Sequence, residues 1–105
     1  MAPHRRRKRS GMFVNMGFVT PRPGKEKVMA QTMRSFADAL EEMPGLLAVF
    51  VLSEEGGRSL VGVSMWSSRK AFEEAMERVR PPPPTEPAEQ MRASPPTTRQ
   101  FESVW

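Results

Sequence analysis

Residues 59–76, SLVGVSMWSSRKAFEEAM, constrain this chain more than any other stretch, because they hold a strand, a tryptophan, a helix start and an amphipathic helix in direct succession. Side chains alternate across a sheet. Val61, Val63 and Met65 therefore share one side of the strand, and Leu60, Gly62, Ser64 and Trp66 share the other. The first side is apolar; the second is small, then polar, then aromatic. Ser67 and Ser68 follow at once, and either hydroxyl can accept a bond from the free backbone N–H groups of a new helical turn. Phe72, Ala75, Met76 and Val79 then recur at helical spacing and form one apolar stripe.

The remaining elements fall into place around this unit. Residues 12–20 read as a first strand, with Met12, Val14, Met16 and Phe18 on one side and Phe13, Asn15, Gly17 and Val19 on the other. Both sides are largely apolar, which predicts a strand covered on both. Asn15 is the exception: its amide needs partners, since an unpaired buried polar group costs about 1–3 kcal/mol. It is expected to bridge strands or to line a cavity. After Pro21, Pro23 and Gly24, residues 25–42 repeat Val28, Met29, Met33, Phe36, Ala37 and Leu40 at intervals of three and four, a helix that must stop near Met43 because Pro44-Gly45 follows. Residues 46–52 form a second strand, and Glu54-Glu55-Gly56-Gly57 turns it into the third. Residues 81–98 carry Pro81 to Pro84, Pro87, Pro95 and Pro96 and are expected to run extended around a short helix near residues 88–92, or to act as a mobile lid. Arg78 with Pro81 and Pro84 also fits a ligand pattern for domains that bind proline-rich peptides, but the match is cheap. Residues 99–105 read as a fourth strand at a sheet edge, with Phe101, Ser103 and Trp105 on one side.

A chain of 105 residues has room for one domain. It contains no cysteine, so disulfides, thiolate chemistry and zinc-finger spacing are excluded, and a reducing cytoplasm fits. No apolar run approaches the length of about 20 residues that spans a bilayer. The net charge of +4 suggests nucleic acid until its location is considered. Arg5, Arg6, Arg7, Lys8 and Arg9 supply five of the sixteen basic residues, and without them the body is at −1. Residues 1–11 are thus expected to be a disordered basic arm, or a stretch upstream of a true start at Met12, and any nucleic-acid binding is expected only through that arm. The single histidine, His4, lies in it and is a poor candidate for catalysis or metal binding.

Strand, helix, strand, strand, helix, strand is the ferredoxin-like order, an α+β fold with a four-stranded antiparallel sheet. Two helices cover one side of such a sheet, yet its strands are apolar on both. The expected cover for the second side is an identical sheet in a symmetric homodimer. On this reading the helix-free side, closed by the partner, encloses a cavity lined by Phe13, Asn15, Gly17, Gly62, Ser64 and Trp66.

Pro44-Gly45-Leu46, the apolar hairpin, Met65-Trp66-Ser67-Ser68 and Ala71-Phe72 together resemble the antibiotic biosynthesis monooxygenase family over residues 12–105. The resemblance implies a dimeric α+β barrel, with members that oxidise polyketide aromatics without a cofactor and members that break down haem. This chain departs from both patterns. Gly17 stands where haem-degrading members carry an asparagine, with Asn15 two residues earlier, and Ala75 stands where they carry a haem-ligating histidine. Gly62 and Phe72 stand where the polyketide-oxidising members carry an asparagine and a tyrosine, and the chain has no tyrosine at all. Only Trp66 matches both patterns.

The resulting expectation is a cofactor-free monooxygenase acting on a small aromatic, polyketide-like or quinol-like substrate. Trp66 is expected to stack on that substrate and Asn15 with Ser64 to hold its oxygen, while Phe13, Gly17, Gly62 and Phe72 line the pocket. Haem is not expected. The alternative is a binding or interaction module on the same dimer with no catalysis. A nucleic-acid module of the same strand order is disfavoured, because residues 59–66 offer no aromatic until Trp66.

Overall fold

The computed structural model describes residues 11–104; the basic arm and Trp105 lie outside the described residues. The chain runs β1 (Phe13–Val19), α1 (Glu26–Leu40), β2 (Leu46–Ser53), β3 (Leu60–Trp66), α2 (Arg69–Arg78), α3 (Ala88–Met91) and β4 (Thr97–Glu102). The sheet order is β2-β3-β1-β4, with every neighbouring pair antiparallel. This is the ferredoxin-like fold expected from the sequence.

The joints between elements follow from local chemistry. Ser68 caps α2, its hydroxyl accepting from Ala71 N at 3.1 Å, which settles the choice between the two serines. Gly45 has a φ of +88°, and a Cβ there would lie 2.6 Å from Ala71 Cβ. Only glycine meets both demands. Its carbonyl accepts from Ser67 N at 2.8 Å, bolting the start of β2 to the end of β3. The hairpin closes through Glu54 N donating to Ser59 O at 2.9 Å.

Directly paired residues in a sheet point to one side, so the register divides the side chains into rows. On the side covered by the helices, Leu46, Trp66, Phe13 and Glu102 form the first row, and Val49, Ser64, Asn15 and Gln100 the second. Val51, Gly62, Gly17 and Thr98 form the third. The opposite side carries Phe50, Leu52, Phe18, Met16, Val63 and Phe101. The helices thus lie over the Trp66 side, not over the valine side. The expectation that Phe13, Asn15, Gly17, Gly62, Ser64 and Trp66 face a partner subunit is corrected here. Alternation separates the two sides but does not say which one the helices take; α2 begins right after Trp66 and folds back over it.

The core sits at the first row. Phe13 and Trp66 are fully buried and pack with Leu40, Ala75 and Val79. The Phe72 ring meets Phe13 at 5.0 Å and Trp66 edge-on at 5.9 Å, contacts each contributing about 0.5–1.5 kcal/mol beyond burial.

The proline-rich segment is tied down. Pro21 pairs with Arg92, Arg22 N donates to Met91 O at 2.8 Å, and Ala93 N donates to Thr20 O at 2.7 Å. Met91 is fully buried. Of the two expectations for this segment, the short helix is the one observed, as α3. β4 begins at Thr97, two residues earlier than the sequence suggested, and pairs only with β1.

Candidate functional site

A cavity of about 540 Å³ lies within the single chain, between the second and third rows of the sheet, α1 and the proline-rich segment. A smaller hollow of about 310 Å³ sits outside it, between α1 and Pro82, Pro83 and Pro84. The larger is the candidate site because it holds the polar groups that the sequence singled out. Asn15, Gly17, Gly62 and Ser64 all line it. Its position corrects the expectation of a pocket enclosed by the dimer: the walls come from this chain's own α1 and prolines.

The glycines make the floor. Gly17 and Gly62 face each other across β1 and β3. A Cβ on Gly17 would meet nothing within 4 Å, and one on Gly62 would lie 3.4 Å from Met33 Cε. The two missing side chains leave bare backbone onto which a flat molecule can settle. Met33, Phe36 and Ala37 of α1 lie above it, with Val49 and Val51 at one side and Pro81, Pro82, Pro84 and Pro96 at the other. Phe36 and Leu40, one turn apart, both line this hollow, the first 37 % exposed and the second 2 % exposed.

One row along, the floor turns polar. Ser64 and Asn15 are direct cross-strand partners. Ser64 Oγ accepts from Trp66 Nε1 at 2.8 Å, and Asn15 Oδ1 accepts from Gln100 Nε2 at 3.0 Å. Thr32 adds a second hydroxyl, on α1, which donates to Val28 O at 3.0 Å. Among the described residues none that lines the cavity is charged. The cavity therefore suits an uncharged or delocalised apolar molecule with one polar edge.

Phe13, Trp66 and Phe72, expected as pocket residues, are not among the lining side chains. Trp66 is closed off behind Ser64, so it reaches the cavity only through that hydroxyl and has no face on which a substrate could stack. Phe72 and Phe13 complete the aromatic cluster around it, and the Arg69 guanidinium lies 4.7 Å from the Phe13 ring centre. Conversely, the helix and proline walls and Gln100 were not singled out by the sequence. The α1 stripe reads as core, which only Met29 and Leu40 are, and the signal for Gln100 was its place opposite Asn15 once the register is fixed.

A family model for antibiotic biosynthesis monooxygenases matches residues 12–79. The chain belongs to that family. Solved structures agree with the fold. A Pseudomonas aeruginosa protein is 12 % identical with a TM-score of 0.71, covering 92 % of this chain and 98 % of its own. A candidate antibiotic biosynthesis monooxygenase from Nitrosomonas europaea is 13 % identical with a TM-score of 0.69, covering 91 % and 93 %. The heme-degrading protein Rv3592 of Mycobacterium tuberculosis, solved heme-free, is 21 % identical with a TM-score of 0.66, covering 91 % and 94 %. At these identities the likeness is one of fold. Curated protein sequences give no significant match. Within the antibiotic biosynthesis monooxygenase fold, the matched segment contains the whole glycine floor and the Asn15–Ser64 pair. Among the described residues no helix is long and apolar enough to cross a membrane.

Proposed function

We propose that this member of the family is a cofactor-independent monooxygenase that oxidises a flat aromatic substrate of quinol or polyketide type inside the cavity, working as a homodimer in the cytoplasm. The observation that carries the reading is the floor: bare Gly17–Gly62 backbone beside the paired Asn15 and Ser64, under apolar walls. Such a substrate, once it loses a proton, is electron-rich enough to pass an electron to dioxygen. Recombination gives a hydroperoxide, and loss of water leaves a new carbonyl, so that a ring methylene and O₂ become a ketone and water. The protein need only position the anion, shield it from water and stabilise the developing charge on its oxygen. Asn15 and Ser64 suit that last task.

Haem does not suit this lining. The position of the ligating histidine is Ala75, 2 % exposed within the core, and among the described residues the only soft donor on the cavity wall is the Met33 thioether. Among the described residues no cation lines the cavity to meet propionates.

The homodimer is supported by the uncovered side of the sheet, where Phe50, Leu52 and Phe101 are 49 %, 47 % and 41 % exposed. Half-exposed large apolar side chains on one side of a sheet suit an interaction surface.

A second reading, a binding module without catalysis, is favoured by one observation: among the described residues no side chain lining the cavity can act as a general base at neutral pH. The two readings separate in an oxygen electrode. With an anthrone or a naphthoquinol in air, the oxygenase takes up oxygen, and Asn15→Ala and Ser64→Ala each lower the rate at least tenfold. Binding of the same compounds without oxygen uptake selects the module instead.

A further inference from the structure

Each polar group on the cavity floor is held by a second side chain that does not itself line the cavity. Trp66 Nε1 donates to Ser64 Oγ at 2.8 Å, and Gln100 Nε2 donates to Asn15 Oδ1 at 3.0 Å. An indole N–H can only donate, so Ser64 must accept from it and is left with its own hydrogen to give away. An asparagine whose carbonyl is engaged likewise presents its NH₂ group. Ser64 and Asn15 are direct partners across β3 and β1, and the Cβ atoms of such a pair lie about 4.5–5.5 Å apart. One ligand atom can therefore receive both hydrogens.

We propose that Trp66 and Gln100 are positioning residues that turn Ser64 and Asn15 into a two-donor cradle, so that the cavity selects flat ligands presenting an oxygen acceptor over those presenting a donor. This deepens the reading of Asn15 and Ser64 as the ligand's polar contacts and is independent of any reaction with oxygen. The ring plane rests on Gly17 and Gly62, and the acceptor points one row along the strands, about 7 Å away. Gln100 reaches this site from an exposed edge strand, where it pairs directly with Asn15. Its side chain can be exchanged without disturbing the core.

Three rigid tricyclic probes of nearly equal shape test the proposal by binding alone: fluorenone carries only an acceptor, carbazole only a donor, and fluorene neither. The full chain is expected to bind fluorenone roughly tenfold more tightly than fluorene, since two added hydrogen bonds each contribute a modest net amount, and to bind carbazole no better than fluorene. Equal binding of fluorenone and fluorene overturns the idea. Gln100→Glu supplies the decisive arm. A carboxylate can only accept, so the Asn15 amide turns its NH₂ toward it and shows Oδ1 to the cavity. The fluorenone advantage then falls to the single bond from Ser64, and carbazole rises several-fold above fluorene. Thr98→Glu, one row away on the same strand opposite Gly17, adds the same charge without touching Asn15 and is expected to keep the original ranking. An unchanged ranking in Gln100→Glu, or an equal inversion in Thr98→Glu, removes Gln100 from the mechanism.

For Trp66, Trp66→Phe and Ser64→Ala are expected to cost fluorenone the same factor, with no further loss in the double variant; additive losses refute the relay. Should Trp66→Phe fail to fold, the Gln100 arm decides. A chain that ranks the probes as expected yet takes up no oxygen with a quinol keeps this inference and loses the oxygenase. One that oxidises quinols without ranking the probes does the reverse.

Discussion

The two sides of this sheet are both apolar in sequence, and they differ in what has been left out. On the covered side, two full aromatics, Phe13 and Trp66, are sealed at 0 % exposure, and two rows further on the side chains vanish at Gly17 and Gly62. On the uncovered side no position in β1 or β3 is empty, and Phe50, Leu52 and Phe101 stand half in solvent. A hollow therefore forms under the helices, where side chains are missing, and a sticky surface forms where they are all present. Apolar content alone does not distinguish a pocket from an interface; the distribution of volume does.

The comparison can be broken at several points. Trp66→Ala or Phe13→Ala empties the sealed row and is expected to cost about 3–5 kcal/mol, a large share of a typical domain's 5–15 kcal/mol. Urea unfolding measures it, and a loss under 1 kcal/mol contradicts the core assignment. Phe50→Asp charges the uncovered side. If two copies meet there, sedimentation velocity is expected to show self-association weakened at least a hundredfold, with the unfolding of the separate subunit little changed; an unaltered dimer places the contact elsewhere.

Two smaller changes sharpen the contrast. Gly17→Val fills the hollow from below, where a Cβ has free space. Its expected effect is a tenfold or greater loss of affinity for flat aromatics in a binding titration, with the fold's stability changed by less than about 1 kcal/mol, because the new side chain meets no clash. Normal ligand affinity in that variant means that the molecule does not lie on the glycine floor. Lys25→Ala breaks the ion pair with Glu86, whose atoms are 3.0 Å apart and whose side chains are 39 % and 29 % exposed. Exposed pairs contribute little, so thermal unfolding is expected to shift by at most a few degrees.

The order of elements, the Ser68 cap, the Pro44-Gly45 stop and the hairpin were legible because each rests on a few neighbouring residues. The polar pair Asn15 and Ser64 and the glycines Gly17 and Gly62 could be marked as cavity residues for the same reason: they interrupt apolar strands. Three matters were not legible. Which side the helices cover is decided by how α2 leaves Trp66, a question of three-dimensional path that alternation does not address. Trp66 reads in the sequence as a stacking wall because it stands beside a small polar residue, whereas packing with Phe13 and Phe72 leaves it fully buried. Gln100 emerged only with the register, since eighty-five residues separate it from Asn15.

The stretch common to the family ends at residue 79, and it carries the glycines, Asn15, Ser64 and α1. Pro81, Pro82, Pro84, Pro96 and Gln100 all come after it. The recess thus draws its base from the matched stretch and its proline wall from the residues that follow it. Grafting a different run of residues 80–104 onto this base is a route to new ligand preferences that leaves the hydrophobic nucleus around Trp66 almost intact, since Val79 is its last member.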